Sequence, residues 1–279
     1  MNELLRGERM ILRRVIDHVK KQHWTAVFLD FVIVVLGVFI GIQVSNWNQF
    51  SSDRRAETEY LRQLQNDLRN IQVEVGAQIE FEQFHANLAS HVLSLIRNDR
   101  SDTRALKINM GLCQLAVRRT LRTQSPTFLN LQGSGNLEII SDPQLRAAII
   151  SYFYSTSRLE AALDKNNAFF VDQSFVGFVT SKSIPPRTWD SALMNMQSPP
   201  GIISSAFLTE ARSGPLYAAG GESLAAPPGA AIWEEIIPRL AWRGLIATSN
   251  ESMVESLRTA TEELQTKLAR RLEGRSKEQ

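Results

Sequence analysis

The sequence predicts a mainly α-helical protein: one N-terminal transmembrane helix, then a helical extracytoplasmic domain with coiled-coil-like helices and a long irregular insertion. Three observations carry this. The segment WTAVFLDFVIVVLGVFIGIQVSNW, from Trp24 to Trp47, is strongly apolar, and no formal charge occurs between Phe31 and Ser52. Apolar residues recur at 3-4 spacing through Leu61, Leu64, Leu68, Ile71 and Val75, and again through Val254, Leu257, Leu264 and Leu268. Eight of the ten prolines lie in or near residues 181–230, so a loop-rich stretch interrupts the helical pattern there. The boundaries drawn are 1–23 for a cytoplasmic tail, 24–48 for the span and 49–279 for the outer domain.

Leu4, Leu5, Ile11, Leu12, Val15, Ile16 and Val19 follow helical spacing among charges, as in a basic amphipathic helix lying on the inner leaflet. Twenty-odd residues at about 1.5 Å each cover the roughly 30 Å hydrocarbon core, and Trp24 and Trp47 fall at the two headgroup levels. Later apolar runs such as Ala231 to Ile246 are broken by charges or proline, which makes this a single-pass protein. The tail carries Arg6, Arg9, Arg13, Arg14, Lys20 and Lys21, against Arg54, Arg55, Arg62 and Arg69 in the 20 residues after Ser52. That excess places the N-terminus in the cytoplasm and the C-terminal domain on the outer face of the membrane. The apolar core is too long for a cleaved signal, and the residues after it lack a small-x-small cleavage site. A lone cysteine, Cys113, has no intramolecular disulfide partner and does not test the topology.

The span has a polar, small-residue stripe. At 100° per residue, Asp30, Gly37, Gly41, Ser45 and Asn48 fall within about 80° of one another. Gly37 and Gly41 form a small-xxx-small pair that permits close helix approach, and an intramembrane carboxylate favours protein or water over lipid. Two readings stand side by side: glycines that are merely common in spans, with Asp30 reaching the interface, or a face that packs against a second helix. The partner would then be another copy of the chain or a different membrane protein.

Beyond the span, Arg54 to Asn98 reads as helical, either as two helices or as one broken near Gly76. A further helix covers Leu106 to Leu121. Gly133-Ser134-Gly135 is a turn, and Asp142-Pro143 is an N-cap followed by proline at the first helical position. Leu145, Ala148, Ile149, Tyr152 and Phe153 give the next helix a buried face, and it runs on to about Phe170. The insertion holds a short helix near Ser204–Ala211. Two helices finish the chain, about Ala231–Thr248 and Asn250–Leu272, the last positioned to pair with the first outer helix and return the C-terminus toward the membrane.

The span sequence DFVIVVLGVFIGIQVSNWN (Asp30 to Asn48) resembles the anchor of a family of bacterial membrane proteins of unknown function. Its members have a short tail, one span ending in a Gln-x-x-Asn-Trp-Asn-like sequence and a helical extracytoplasmic domain. LQGSGNLEIISDPQLR (Leu131 to Arg146) resembles the family's second motif, a Ser-Gly turn before a helix. The resemblance covers the first 60 residues well and 128–154 moderately, and it is weak through 181–230. It implies topology and fold, and no activity.

No catalytic, cofactor or metal constellation emerges. Glu82-x-x-His85 has the spacing of half a di-metal motif, but no second copy exists, and a solvated helix face is the expected setting. Gly133-Ser134-Gly135 is too short for a nucleophile elbow, and no phosphate-loop or dinucleotide glycine pattern occurs. Arg118, Arg119 and Arg122 read as a solvated helix end. A net charge of +2 gives no field to attract nucleic acid. The expected partners are the lipid bilayer and a second copy or another membrane protein. The expected role is non-enzymatic: a scaffold, accessory or sensor-like subunit. The alternative is a membrane-anchored periplasmic hydrolase or modifying enzyme with a site in the 181–230 loops, drawing carboxylates from Asp172, Asp190, Glu210 and Glu222.

Overall fold

The computed structural model describes residues 24–181, 189–198 and 222–276, and among these there are helices and no strands. The chain divides into two compact units, Met1–Thr58 and Glu59–Gln279. The N-terminal tail and the helix expected at Ser204–Ala211 lie outside the described residues.

Helix α1, Trp24–Asn98, begins in the first unit. Its apolar side chains from Phe28 to Phe50 are exposed all round. The change to polar sequence at Asn48 does not end the helix, since neither glycine nor proline occurs between Gly41 and Gly76. Gln49 Nε2 donates to Asp53 Oδ1 at 2.9 Å, and Thr58 Oγ1 to the Arg54 carbonyl at 2.9 Å, both one turn apart.

In the second unit α1 continues unbroken through Gly76. The flanking Val75 and Ile79 are buried, and their packing outweighs the roughly 1 kcal/mol that a helical glycine costs. Helix α2, Arg104–Leu115, is shorter than the spacing predicts, for a reason that emerges with the site below. Helix α3, Pro126–Gly133, is capped by Ser125, whose Oγ accepts from the Phe128 N–H at 3.0 Å. Gly135, at φ 71°, supplies the left-handed turn before a 3-10 segment, Asn136–Ile139. Helix α4, Pro143–Asn166, starts as the sequence predicts: Asp142 Oδ1 accepts from Gln144 N at 2.9 Å and Leu145 N at 3.1 Å. It does not stop near Phe170. It passes into a π-helical stretch, Asn167–Val176, and then α5, Gly177–Ser181. After α6, Ser191–Met194, and a 3-10 turn, Glu222–Ala225, helix α7 runs from Ala231 to Ser276. The two expected final helices are thus one, with Pro238 accommodated inside it.

Two apolar cores hold this unit. The first joins Leu61, Leu64, Leu68, Ile71 and Val75 of α1 to Leu145, Ile149, Tyr152 and Phe153 of α4 and Val254, Leu257, Leu264 and Leu268 of α7. The expected pairing of the first and last seams therefore forms, with α4 as a third member. Tyr152 and Thr261 share a buried hydroxyl–hydroxyl hydrogen bond of 2.9 Å in that core. The second core joins Leu88, Val92 and Ile96 of α1 to Ile108, Leu112 and Leu115 of α2, Phe175, Val179, Trp233 and Leu240. Each fully buried Leu or Val contributes roughly 1.5–3 kcal/mol through removal from water.

Candidate functional site: a buried polar layer between two cores

The α1 seam keeps its 3-4 spacing from Val75 to Ala89, but the residues change type to Gln78, Glu82 and His85. These are at 0 %, 1 % and 0 % exposure. The expectation of a solvated face for Glu82 and His85 is therefore overturned. Helix α7 comes close enough to meet them because Gly244 lacks a side chain: a Cβ there would lie 3.2 Å from that of Ala89. On the same helix Arg243 and Asn250, seven residues apart, supply the other side of the layer, and both are buried.

Hydrogen bonds tie four elements together here. Gln78 Nε2 and Asn250 Nδ2 donate to Glu82 Oε1 at 2.8 and 3.2 Å. Asn166 Nδ2, at the end of α4, donates to Asn250 Oδ1 at 2.9 Å, and Asn167 Nδ2 to the Arg119 carbonyl at 3.1 Å. Arg243 donates from Nε to the Leu115 carbonyl at 2.9 Å and from Nη2 to that of Val117 at 3.3 Å. His85 sets Nδ1 against the Phe81 carbonyl at 2.7 Å and Nε2 against the Gln114 carbonyl at 3.2 Å. A neutral ring donates only one of these two. The carbonyls of Leu115, the last residue of α2, and of Val117 just beyond it are thus taken by Arg243 from α7, in keeping with a helix that stops at Leu115 instead of Leu121.

Burial sets the charge states. It lifts the Glu82 carboxyl above the ordinary carboxylate range, with Arg243 and the two amides offsetting part of the rise. It pushes His85 down to about 4, helped by the nearby Arg243 charge. It lowers Arg243 to about 10, against the pull of Glu82, so this guanidinium stays charged at neutral pH.

The other sequence candidates do not join this layer. Asp30, Gly37, Gly41, Ser45 and Asn48 lie exposed in the first unit, and a Cβ at Gly37 or Gly41 would meet nothing within 4 Å. The arginine cluster is not a helix end but part of an irregular segment, and each member pairs with a carboxylate from elsewhere. Arg118 meets Asp172 at 2.9 Å, Arg119 meets Glu74 at 2.7 Å and Arg122 meets Asp164 at 2.8 Å. Asp172 is therefore engaged in an ion pair, and Asp190 caps α6 by accepting from Leu193 N at 2.9 Å. Glu210 and the Glu222 side chain fall outside the described residues. Among the described residues no group of three or more His, Cys, Asp or Glu is placed to hold a metal ion.

One signal for the layer was present in the chain. Extending the seam from Val75 by alternating steps of three and four lands on Gln78, Glu82, His85, Ala89, Val92 and Ile96. Residues 30–155 match the model of a family of unknown function, DUF6090. The match spans the apolar start of α1 from Asp30, the α1 half of the layer and the Ser-Gly turn, and it stops short of Arg243 and Asn250. No curated protein and no solved structure matches the chain.

Proposed function

We propose that this is a membrane-anchored, non-enzymatic protein, a scaffold, accessory or sensor-like subunit whose N-terminus is cytoplasmic and whose helical domain lies on the outer face of a bacterial inner membrane. The observation that carries it is the first part of α1. It is long and apolar enough to cross a bilayer, and none of its most apolar window is buried. Leu36 and Phe39 are more than half exposed, with Trp47 at 75 %. In water such a surface costs about 25 cal/mol per Å², whereas lipid tails remove that cost. The orientation is supported by the basic excess before the span. Partner contact is assigned to the Asp30, Gly37, Gly41, Ser45 and Asn48 stripe and to the outer helical domain.

Two measurements test this. The chain should stay with membranes through alkaline carbonate washing and leave them only with detergent; release by carbonate contradicts the anchor. Full-length protein should co-purify with a second tagged copy or another membrane protein, and Gly37→Ile with Gly41→Ile should reduce that association. Unchanged association in the double variant contradicts the packing stripe while leaving the anchor intact.

A further inference from the structure

Within the polar layer, two oxygens share one deficiency. Glu82 Oε2 and Gln78 Oε1 are both buried, and neither has a hydrogen-bond partner. They belong to two groups already joined by Gln78 Nε2 donating to Glu82 Oε1 at 2.8 Å. Both are acceptors, so as a carboxylate and an amide they cannot bond to each other. The nearby guanidinium does not fill the gap: Arg243 directs Nε and Nη2 at the Leu115 and Val117 carbonyls, and its Nη1, also buried, bonds to neither oxygen. A buried acceptor left without a donor costs roughly 1–3 kcal/mol.

We propose that Glu82 is a proton-binding site that makes the layer between the two cores responsive to pH. One proton from solvent bonds to Oε2, and the resulting O–H donates to Gln78 Oε1. With the existing bond from Gln78 Nε2, this closes a cyclic acid–amide pair in which both deficient oxygens are satisfied. No covalent bond other than the new O–H changes, and the layer gains one positive charge.

The groups around the carboxyl set the direction. From α7, Arg243 favours the ionised form and Glu251 the protonated one, while Asn250 donates to Oε1 in either state. From α1, Gln78 donates, and His85 stays neutral until about 4, so it adds no positive charge over the mildly acidic range. Asn166 reaches the pair through Asn250. Burial outweighs Arg243 and places Glu82 above the ordinary carboxylate value. A folded-state pKa raised in this way stabilises the fold below the unfolded-state value, and the contribution is lost as pH rises through the folded one. His85 acts in the opposite sense: its contribution is present above the ordinary histidine value and is lost as pH falls toward about 4. The Glu82 effect is therefore read as a difference from Glu82→Gln, whose amide N–H donates to Gln78 Oε1 at every pH.

The experiment uses the full chain in detergent micelles. Thermal midpoints of the unsubstituted chain and of Glu82→Gln are followed from neutral to mildly acidic pH, alongside the infrared carbonyl stretch of a protonated carboxylic acid. The expected result is a variant more stable at neutral pH, with a gap that closes on acidification at the same midpoint where the acid band grows. That band is absent from the variant. A gap that does not change with pH overturns the proposal. So does a chain with no acid band until the ordinary carboxylate range, and this second readout holds even where Glu82→Gln fails to fold. Use of the site to sense the pH of the medium rests on the outer-face reading. The titration itself does not, since it concerns the second unit alone.

Discussion

Between Phe28 and Phe50, apolar side chains point all round α1 and are exposed, Leu36 at 52 % and Val38 at 59 %. Between Leu61 and Ile96 most keep to one seam, where Leu61, Leu68 and Val92 are wholly buried, while Val73 is exposed at 71 %. Leucine, isoleucine and valine occur on one continuous helix in both stretches, so backbone conformation does not separate them. The distribution around the helix does. A seam asks for neighbouring helices, whereas an apolar surface on every side asks for an apolar solvent.

The sharpest way to break this comparison is to truncate one leucine in each stretch. Leu68→Ala should destabilise the second unit by about 2–5 kcal/mol, as a cavity in a core does. Leu36→Ala should leave thermal unfolding within about 0.5 kcal/mol of the parent. Equal effects would remove the distinction. A charge probes the other property: Val38→Arg should cost about 2.5–3.5 kcal/mol at mid-span and lower the membrane-bound fraction, with the fold of the second unit intact by circular dichroism.

The glycines divide in the same way. Gly111 faces α1 so closely that a Cβ would collide with the Val92 side chain. Gly111→Ala should therefore lower stability by about 1–3 kcal/mol in a denaturant titration. Gly37→Ala, with open space around it, should leave that titration unchanged. The smallest of the expected losses of stability concerns a helix start that both sequence and structure show. Asp142→Ala removes the oxygen that accepts from two N–H groups at the start of α4 and should cost about 0.5–2 kcal/mol in thermal unfolding.

What was legible in the sequence was local. Asp142-Pro143 carries its own cap, and Leu61 to Val75 carries its own seam, so both stand as read. What escaped depended on residues distant in the chain. Nothing near Leu115 announces that α2 ends there, because the side chain that takes its carbonyl is Arg243, 128 residues later. Gly76 and the Thr248–Asn250 junction look like breaks, yet buried neighbours hold the helix through each. With no second Glu-x-x-His copy, the sequence points to a solvated face for Glu82 and His85, and charged residues are rarely fully buried unless paired. Buried, the two are met by Gln78 and Asn250 at Glu82 and by the Phe81 and Gln114 carbonyls at His85. The stripe of Asp30, Gly37, Gly41, Ser45 and Asn48 is legible as a pattern, and these residues are exposed in the structure.

The central claim is that α1 crosses a membrane and presents the second unit on the outer face. A phosphatase reporter active only outside the cytoplasm, fused after Gln279 and separately after Lys21, tests it most directly. The account predicts an active, membrane-bound fusion at Gln279 and an inactive one at Lys21. Activity at Lys21 with none at Gln279 would contradict the orientation, and a soluble active product beginning after Trp47 would contradict the anchor.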